Sequence, residues 1–274
     1  MHQHCTFLMD FIFDYLRSAD VFSIQMITIL VVVGALVGFI NTVAGGATAI
    51  SYMLFMGMGM PANEANGTTR LGVTLQFLTS SIIYNKKGYL DIRKATIVGI
   101  PVALGSIGGA QVASVINVQA FEVALACALL IMLFLMFYDA KKFLTEQADK
   151  LTKKVSWKVW LIYLVVGFYG GFTHIGVGIF ILMASVLLLG YGLQRANAIK
   201  QYAVLLYSPL AMLVFAIHGQ VHWAIAAIYA VGNVTGAMVA TKVAISWGAN
   251  FIRWSLAVVI LVFAGYLLYK NILA

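Results

Sequence analysis

The chain has 274 residues, of which 62% are hydrophobic and 9% charged, with a net charge of +8. That composition excludes a soluble domain of this size, which carries about 25% charged residues. The surplus cations sit mostly just outside apolar stretches, where membrane topology places them, so they do not argue for a nucleic-acid surface.

The first twenty residues form an amphipathic segment with Asp10, Asp14, Arg17 and Asp20. They lack the basic start of a cleavable signal, so the first apolar segment is expected to stay in the mature protein. From Val21 to Met60 there are forty residues without a charged side chain. A helical span takes about twenty residues, so this run predicts two segments, 21–43 and 45–60, broken at Asn41-Thr42-Val43-Ala44-Gly45-Gly46-Ala47-Thr48. Segments at 67–84, 94–114 and 119–138 follow. The stretch from Asp139 to Lys158 mixes both charge signs and reads as a cytoplasmic connector, 139–156, rather than a domain. Val159 to Gln194 is a second uncharged run, of thirty-six residues, and predicts segments 157–174 and 177–191 around the break Gly170-Gly171-Phe172-Thr173-His174-Ile175-Gly176-Val177-Gly178. Segments 197–217, 223–244 and 252–271 complete an all-α polytopic membrane protein.

The first five segments resemble the last five. Ala65-Asn66 and Ala196-Asn197, Gly88 and Gly219, Gly105 and Gly236, Gly59 and Gly190, and Thr42 and Thr173 all lie 131 residues apart. Gly38-Phe39 recurs as Gly167-Phe168 after a two-residue slip. Landmarks repeated in order at one offset indicate duplication, with 21–138 and 157–274 as the two membrane repeats. Lys86, Lys87, Arg93 and Lys94 flank one loop, whereas its counterpart, His218 to His222, has no Lys or Arg. Arg195, Lys200, Lys242 and Arg253 flank the neighbouring loops instead. The basic loops change sides, so the repeats are expected to be inverted, with the connector and a loop at 245–251 inside and the amino terminus outside. Inverted repeats with broken or re-entrant helices are a transporter architecture whose site lies where the breaks meet.

The breaks supply the first candidate site residues. A helix restarting at Gly45 or Gly176 aims free amides and its positive dipole end into the break, which suits an anion. Asn41, Thr42, Gly46 and Thr48 in one half and Thr173 and His174 in the other add neutral donors. Close packing by small residues is the competing explanation for any single glycine. A second pair of clusters follows, Asn66-Gly67-Thr68-Thr69-Arg70 and Asn197-Ala198-Ile199-Lys200-Gln201. Asn66 is expected to cap the third segment, with Thr68 and Thr69 beside Arg70. Arg70 is either the cation of the site or a snorkelling side chain, and the interfacial reading is the stronger for Lys200, next to Arg195. His174 could move a proton, although a hydrogen-bonded structural role is the commoner one.

Other chemistry finds little support. The chain has no nucleotide loop and no His-Glu-x-x-His. His218 and His222 lack a third ligand and are assigned to the outer surface. Cys5 and Cys127 have no metal or redox spacing, and the methionines at 53, 56, 58 and 60 fit helix packing. Glu64 and Glu122 are read as interfacial. No metal or cofactor is expected, and an enzyme ranks last.

At these residues the chain resembles the sulfite exporter TauE/SafE family of permeases. The likeness rests on Gly38-Phe39-Ile40-Asn41-Thr42-Val43-Ala44-Gly45-Gly46, on Gly67-Thr68-Thr69-Arg70-Leu71, and on Gly167-Phe168-Tyr169-Gly170-Gly171-Phe172 with Gly176-Val177-Gly178. It implies transport of sulfite, organosulfonates, related sulfur compounds or small carboxylates across a cell membrane, with an ion gradient of protons or sodium as the possible drive. The chain departs from the family pattern at Ala47 and Met53, at Arg70 where lysine is frequent, at Lys200-Gln201 where the cation usually comes one position later, and at His174-Ile175. Those departures bear on the substrate. The expected function is a secondary permease of a small anion working by alternating access, with Arg70 mattering more than Lys200. An uncoupled anion channel and a non-transporting accessory protein are the alternatives, and oligomeric state is not legible.

Overall fold

A computed structural model describes residues 15–43, 45–121, 123–124 and 156–272, with side chains described as far as residue 247. Asp10, Asp14, Cys5, Ala44, Glu122, Cys127, most of the segment at 119–138 and nearly all of the connector lie outside the described residues, as does the side chain of Arg253. The described residues form helices and no strand. In chain order they are α1 (Ile24–Val43), α2 (Thr48–Gly57), α3 (Ala62–Lys86), α4 (Ile92–Val115), α5 (Trp157–Phe172), α6 (Val177–Leu187), α7 (Leu193–Ile217) and α8 (Trp223–Ile272). Among the described residues four stretches are long and apolar enough to cross a membrane: α1, α4, α7 and residues 223–247 of α8.

Both uncharged runs break where the sequence predicts. α1 stops at Val43, and Gly45 and Gly46 follow with φ of 90° and 91°. α5 stops at Phe172, and α6 starts after Gly176, whose φ is 73°. This left-handed backbone is open to glycine at little cost. His174, at φ 61°, adopts it as a non-glycine residue and is held by its own hydrogen bond, described below. The 131-residue landmarks also match in conformation. Gly59 and Gly190 have φ of 91° and 74°, and Gly88 and Gly219 have 75° and 71°.

Two boundaries differ from expectation. α3 begins at Ala62, behind Pro61, so Asn66 lies a full turn inside the helix and does not cap it. Proline at the entry presets the helical turn earlier than the polar cluster suggests. Residues 245–251, expected as a loop, are helical, and α8 runs fifty residues, or about 75 Å at 1.5 Å per residue. Gly248 and Asn250 are weak helix formers, but no proline is present to end the helix there.

Each half packs mainly on the other. α1 lies along α8 and α4 along α5, while α3 packs on α8 and α4 on α7, and α3 and α7 touch across the centre. The close crossings are made by glycine pairs four residues apart. A Cβ at Gly34 or Gly38 would collide with the backbone or side chains at Tyr229 and Asn233, and one at Gly105 or Gly109 with the backbone from Leu164 to Phe172. Small residues at such spacing let helices approach in lipid, where no hydrophobic force drives them together. Ile97, Ile100, Leu104 and Ile107 on α4 are exposed on one face, as expected of a lipid-facing side. The buried side of α3 is polar instead, with Asn66, Thr69, Arg70, Gln76 and Ser80 all turned into the protein.

Candidate functional site

The two breaks touch. A Cβ at Gly45 would lie 3.3 Å from the backbone nitrogen of Ile179 and 3.6 Å from the carbonyl carbon of Gly178, and one at Gly178 would lie 3.8 Å from Gly45 Cα. The first turn of α6 therefore sits against the loop that starts α2. Within the first break, Asn41 holds the loop shape, since its Oδ1 accepts from the Ala47 amide at 2.9 Å and its Nδ2 donates to Thr48 Oγ1 at 3.1 Å.

A helix ended inside the protein leaves its last carbonyls without partners. Here each half closes the broken helix of the other. From α3, Arg70 Nη1 donates to Gly170 O at 3.0 Å and Nη2 to Gly171 O at 2.7 Å, and Asn66 Nδ2 donates to Phe172 O at 2.7 Å. Asn66 Oδ1 in turn accepts from Arg70 Nε at 3.1 Å and Nη2 at 2.7 Å, which fixes the guanidinium plane. The Phe215 ring stacks on its other side, 5.4 Å from Cζ. From α7, Lys200 Nζ donates to Asn41 O at 3.1 Å and Thr42 O at 3.0 Å, and Gln201 Nε2 to Thr42 O at 2.6 Å. Cations at a helix C-terminus also meet the negative end of its dipole.

Both cations are fully buried. The snorkelling alternative for Arg70 and the interfacial reading of Lys200 therefore do not hold, because each ammonium or guanidinium finds carbonyls inside the protein before it finds the interface. Every described carboxylate lies elsewhere: Asp20 and Asp91 are exposed, and Glu64 is partly exposed beside His222 Nε2 at 2.7 Å.

The expected donors divide. Asn41, Thr42, Gly45, Thr48, Gly176, Lys200 and Gln201 gather where the breaks meet. Asn66, Arg70, Thr173 and His174 gather at the end of α5. Thr173 Oγ1 is buried with no partner among the described residues, and His174 Nδ1 is hydrogen-bonded to Tyr207 Oη, the structural role favoured by the sequence. Thr68 and Thr69 leave the site, because Thr68 Oγ1 accepts from the His222 amide and Thr69 Oγ1 donates to Asn66 O. Asn197 points to Tyr84, whose hydroxyl accepts from its Nδ2 at 2.8 Å. Gly46 remains in the first break by its place in the chain. Among the described residues no cluster of His, Cys, Asp and Glu could hold a metal.

Sequence reasoning missed Tyr52, whose hydroxyl donates to Thr173 O at 2.9 Å, as well as Tyr207, Tyr229 with Ser51, and the buried Gln76. Aromatic hydroxyls inside a membrane need partners, which is the signal that marks them.

The sequence model described as sulfite exporter TauE/SafE matches residues 30–267, a span that includes both breaks and both clamps. The chain belongs to the sulfite exporter TauE/SafE family. Its relatives include a probable membrane transporter protein of Haemophilus influenzae, 28% identical over 84% of this chain and 89% of that one. A probable membrane transporter protein of a Sinorhizobium species is 25% identical over 86% and 89%. The probable membrane transporter protein YfcA of Escherichia coli is 25% identical over 90% and 91%. No solved structure gives a significant match. As a TauE/SafE protein the chain is a membrane transporter that takes a small-molecule substrate, consistent with a non-enzymatic role.

Proposed function

We propose that this TauE/SafE protein is a secondary permease of the bacterial inner membrane that moves a small oxyanion, such as sulfite, an organosulfonate or a related carboxylate, by alternating access. The observation that carries this reading is the meeting of the two breaks beside two buried cations with no buried carboxylate among the described residues. Each helix terminus carries roughly half a charge, so the two closed C-termini offset about half of each cation. The starts of α2 and α6 add positive ends of similar size. The centre keeps a positive surplus that an anion of one or two charges would balance.

Lys200 is the cation free to meet that anion. Its Nζ has three N–H groups and two are engaged, whereas the Arg70 fork is committed to carbonyls and Asn66. The amide of Gly178, which has no acceptor among the described residues, and the Thr173 hydroxyl are further donors. Exchange of clamping partners between halves gives a route to alternating access, since release of either clamp frees one broken helix. The reciprocal packing of α1 with α8 and α4 with α5 supports two inverted repeats, and the basic loops support a cytoplasmic connector with the amino terminus outside. A proton or sodium ion is the proposed coupling ion.

Counterflow in proteoliposomes tests this. Labelled sulfite or ethanesulfonate outside should overshoot when the vesicles are preloaded with the unlabelled anion, and Lys200→Met should abolish the overshoot. Saturable uptake without exchange would replace the permease with a channel. No flux and no stabilisation by any anion would leave an accessory role.

A further inference from the structure

Three consecutive residues of the second break are each held by a tyrosine hydroxyl from a different helix. Tyr52 Oη on α2 donates to Thr173 O at 2.9 Å, Tyr207 Oη on α7 is hydrogen-bonded to His174 Nδ1, and Tyr169 Oη on α5 donates to Ile175 O at 2.7 Å. Tyr169 and Tyr207 belong to the same half as the break, whereas Tyr52 reaches it from the other half. The buried Thr173 Oγ1 is left without a partner among the described residues. Hydroxyls elsewhere in these helices find a local acceptor: Thr28, Thr79, Thr96, Ser185 and Thr241 each donate to the carbonyl four residues earlier. Thr173 closes α5 at φ −126°, outside helical geometry, and its hydroxyl makes no such return.

The fold does not require this arrangement. At the 131-residue offset Thr42 is the counterpart of Thr173, and its Oγ1 shares a hydrogen bond of 3.4 Å with Ser80 Oγ. The residue equivalent to Ser80 is Ala211, and the one equivalent to Tyr52 is Met183. The first break therefore engages its threonine hydroxyl inside the protein, while the second leaves the hydroxyl free and fixes the carbonyl of the same residue from across the halves. A buried hydroxyl without a partner costs about 1–3 kcal/mol unless something else engages it. Gly176 and the positive start of α6 come three residues later, so the group best placed to engage it is an acceptor carrying negative charge.

We infer that Tyr52 is a positioning residue: by holding the Thr173 carbonyl from the opposite half, it turns the Thr173 hydroxyl toward the anion at the start of α6. The inference rests on the permease reading and adds a tie between ligand binding at one break and the hairpin of the other. Withdrawal of α2 would break the Tyr52 hydrogen bond and release the hydroxyl, so tight binding requires the two breaks to be together.

Counterflow of sulfite or ethanesulfonate, whichever the wild-type protein exchanges, tests it through the half-saturating concentration. Tyr52→Phe deletes one hydroxyl and keeps the ring; it should raise half-saturation about three- to tenfold and leave the maximal rate within about twofold. Thr173→Val should raise it by a similar factor, and the double variant should lie within about twofold of Thr173→Val alone, because both changes remove one interaction. Tyr163→Phe is the control, since it removes a buried tyrosine hydroxyl bonded to Ser185 Oγ at 3.0 Å in the same helix pair but outside the break, and it should keep wild-type half-saturation. Wild-type half-saturation in folded Tyr52→Phe, additive effects in the double variant, or an equal shift in Tyr163→Phe overturns the inference and leaves the permease reading standing. Wild-type half-saturation in Thr173→Val overturns it too, even if Tyr52→Phe does not fold, because Thr173 Oγ1 gives up no hydrogen bond within the described protein. Absence of counterflow for both anions removes the permease reading and this inference together.

Discussion

Arg70 and Lys200 lie one residue out of register at the 131-residue offset, where Gln201 is the equivalent of Arg70, and each closes the broken helix of the opposite half with different chemistry. The Arg70 fork makes four hydrogen bonds, two to backbone carbonyls and two to Asn66, and is stacked on Phe215. Lys200 makes two, shares Thr42 O with Gln201, and lies beside an unpaired Gln201 Oε1. A planar guanidinium with four of its five N–H groups engaged in one fixed plane is suited to holding a helix end, whereas a rotatable ammonium with a spare donor can exchange partners. On the proposed function, structure falls to the first clamp and transport to the second. That reverses the ranking expected from sequence, in which the full charge and its neighbouring threonines made Arg70 the leading candidate.

The most direct way to break this assignment is Arg70→Ala. The truncation leaves Gly171 O and Asn66 Oδ1 buried without their donor, at about 1–3 kcal/mol for each group, while Gly170 O keeps the His174 amide. Stability should fall by at least about 2 kcal/mol, seen as a large drop in Tm and a poor yield of monodisperse protein in detergent. Arg70→Lys should recover only part of this, because an ammonium cannot reproduce the fork. A well-folded Arg70→Ala protein with impaired flux would move Arg70 back into the transport site.

Lys200→Met sharpens the other half of the comparison. Thr42 O keeps Gln201, so only Asn41 O is orphaned, and the loss of stability should be about 1–2 kcal/mol. Counterflow should nevertheless fall by at least about tenfold, the equivalent of one charge-assisted hydrogen bond. Equal damage to fold and flux in both variants would erase the distinction between the clamps.

The glycines of the breaks come next. Gly45 and Gly176 are equivalent at the 131-residue offset, with φ of 90° and 73°. Alanine in left-handed backbone costs about 1–2 kcal/mol, and at Gly45 the new methyl would also press on Ile179, 3.3 Å away. Gly45→Ala should therefore lower Tm and slow counterflow severalfold. Unchanged flux in that variant would detach the contact between the breaks from transport.

Much of this was legible in the chain. The breaks showed as glycine and small polar residues in uncharged runs, and the left-handed glycines at 59 and 190 and at 88 and 219 as landmarks at one offset. The clamps were not legible as clamps, because the partners of Arg70 and Lys200 are backbone carbonyls 100 and more residues away, and a carbonyl has no sequence signature. Lys200 was masked by Arg195, which marks a boundary only a turn and a half earlier on α7. Gln76 was lost among apolar neighbours, though the run Gly72, Gln76, Ser80 at four-residue spacing was the available sign of a polar helix face. The expected loop at 245–251 failed because glycine and asparagine lower helix propensity without forbidding a helix.

The smallest effect is expected at the rim. Glu64 and His222 pair at 2.7 Å and link the first turn of α3 to the residue before α8, with side chains 32% and 45% exposed. Their counterparts at the 131-residue offset are Arg195 and Asp91, so Glu64 stands where the other half has a cation and His222 where it has a carboxylate. Reversal at equivalent rim positions is what opposite sides of one membrane would select, since basic residues are retained on the cytoplasmic side. Solvent screens the Glu64–His222 pair, and Glu64→Gln should change stability by no more than about 0.5 kcal/mol and leave counterflow unaltered. A Tm drop comparable to that of Lys200→Met would show instead that this rim contact fastens α3, and the asymmetry between the halves would then extend beyond the two clamps.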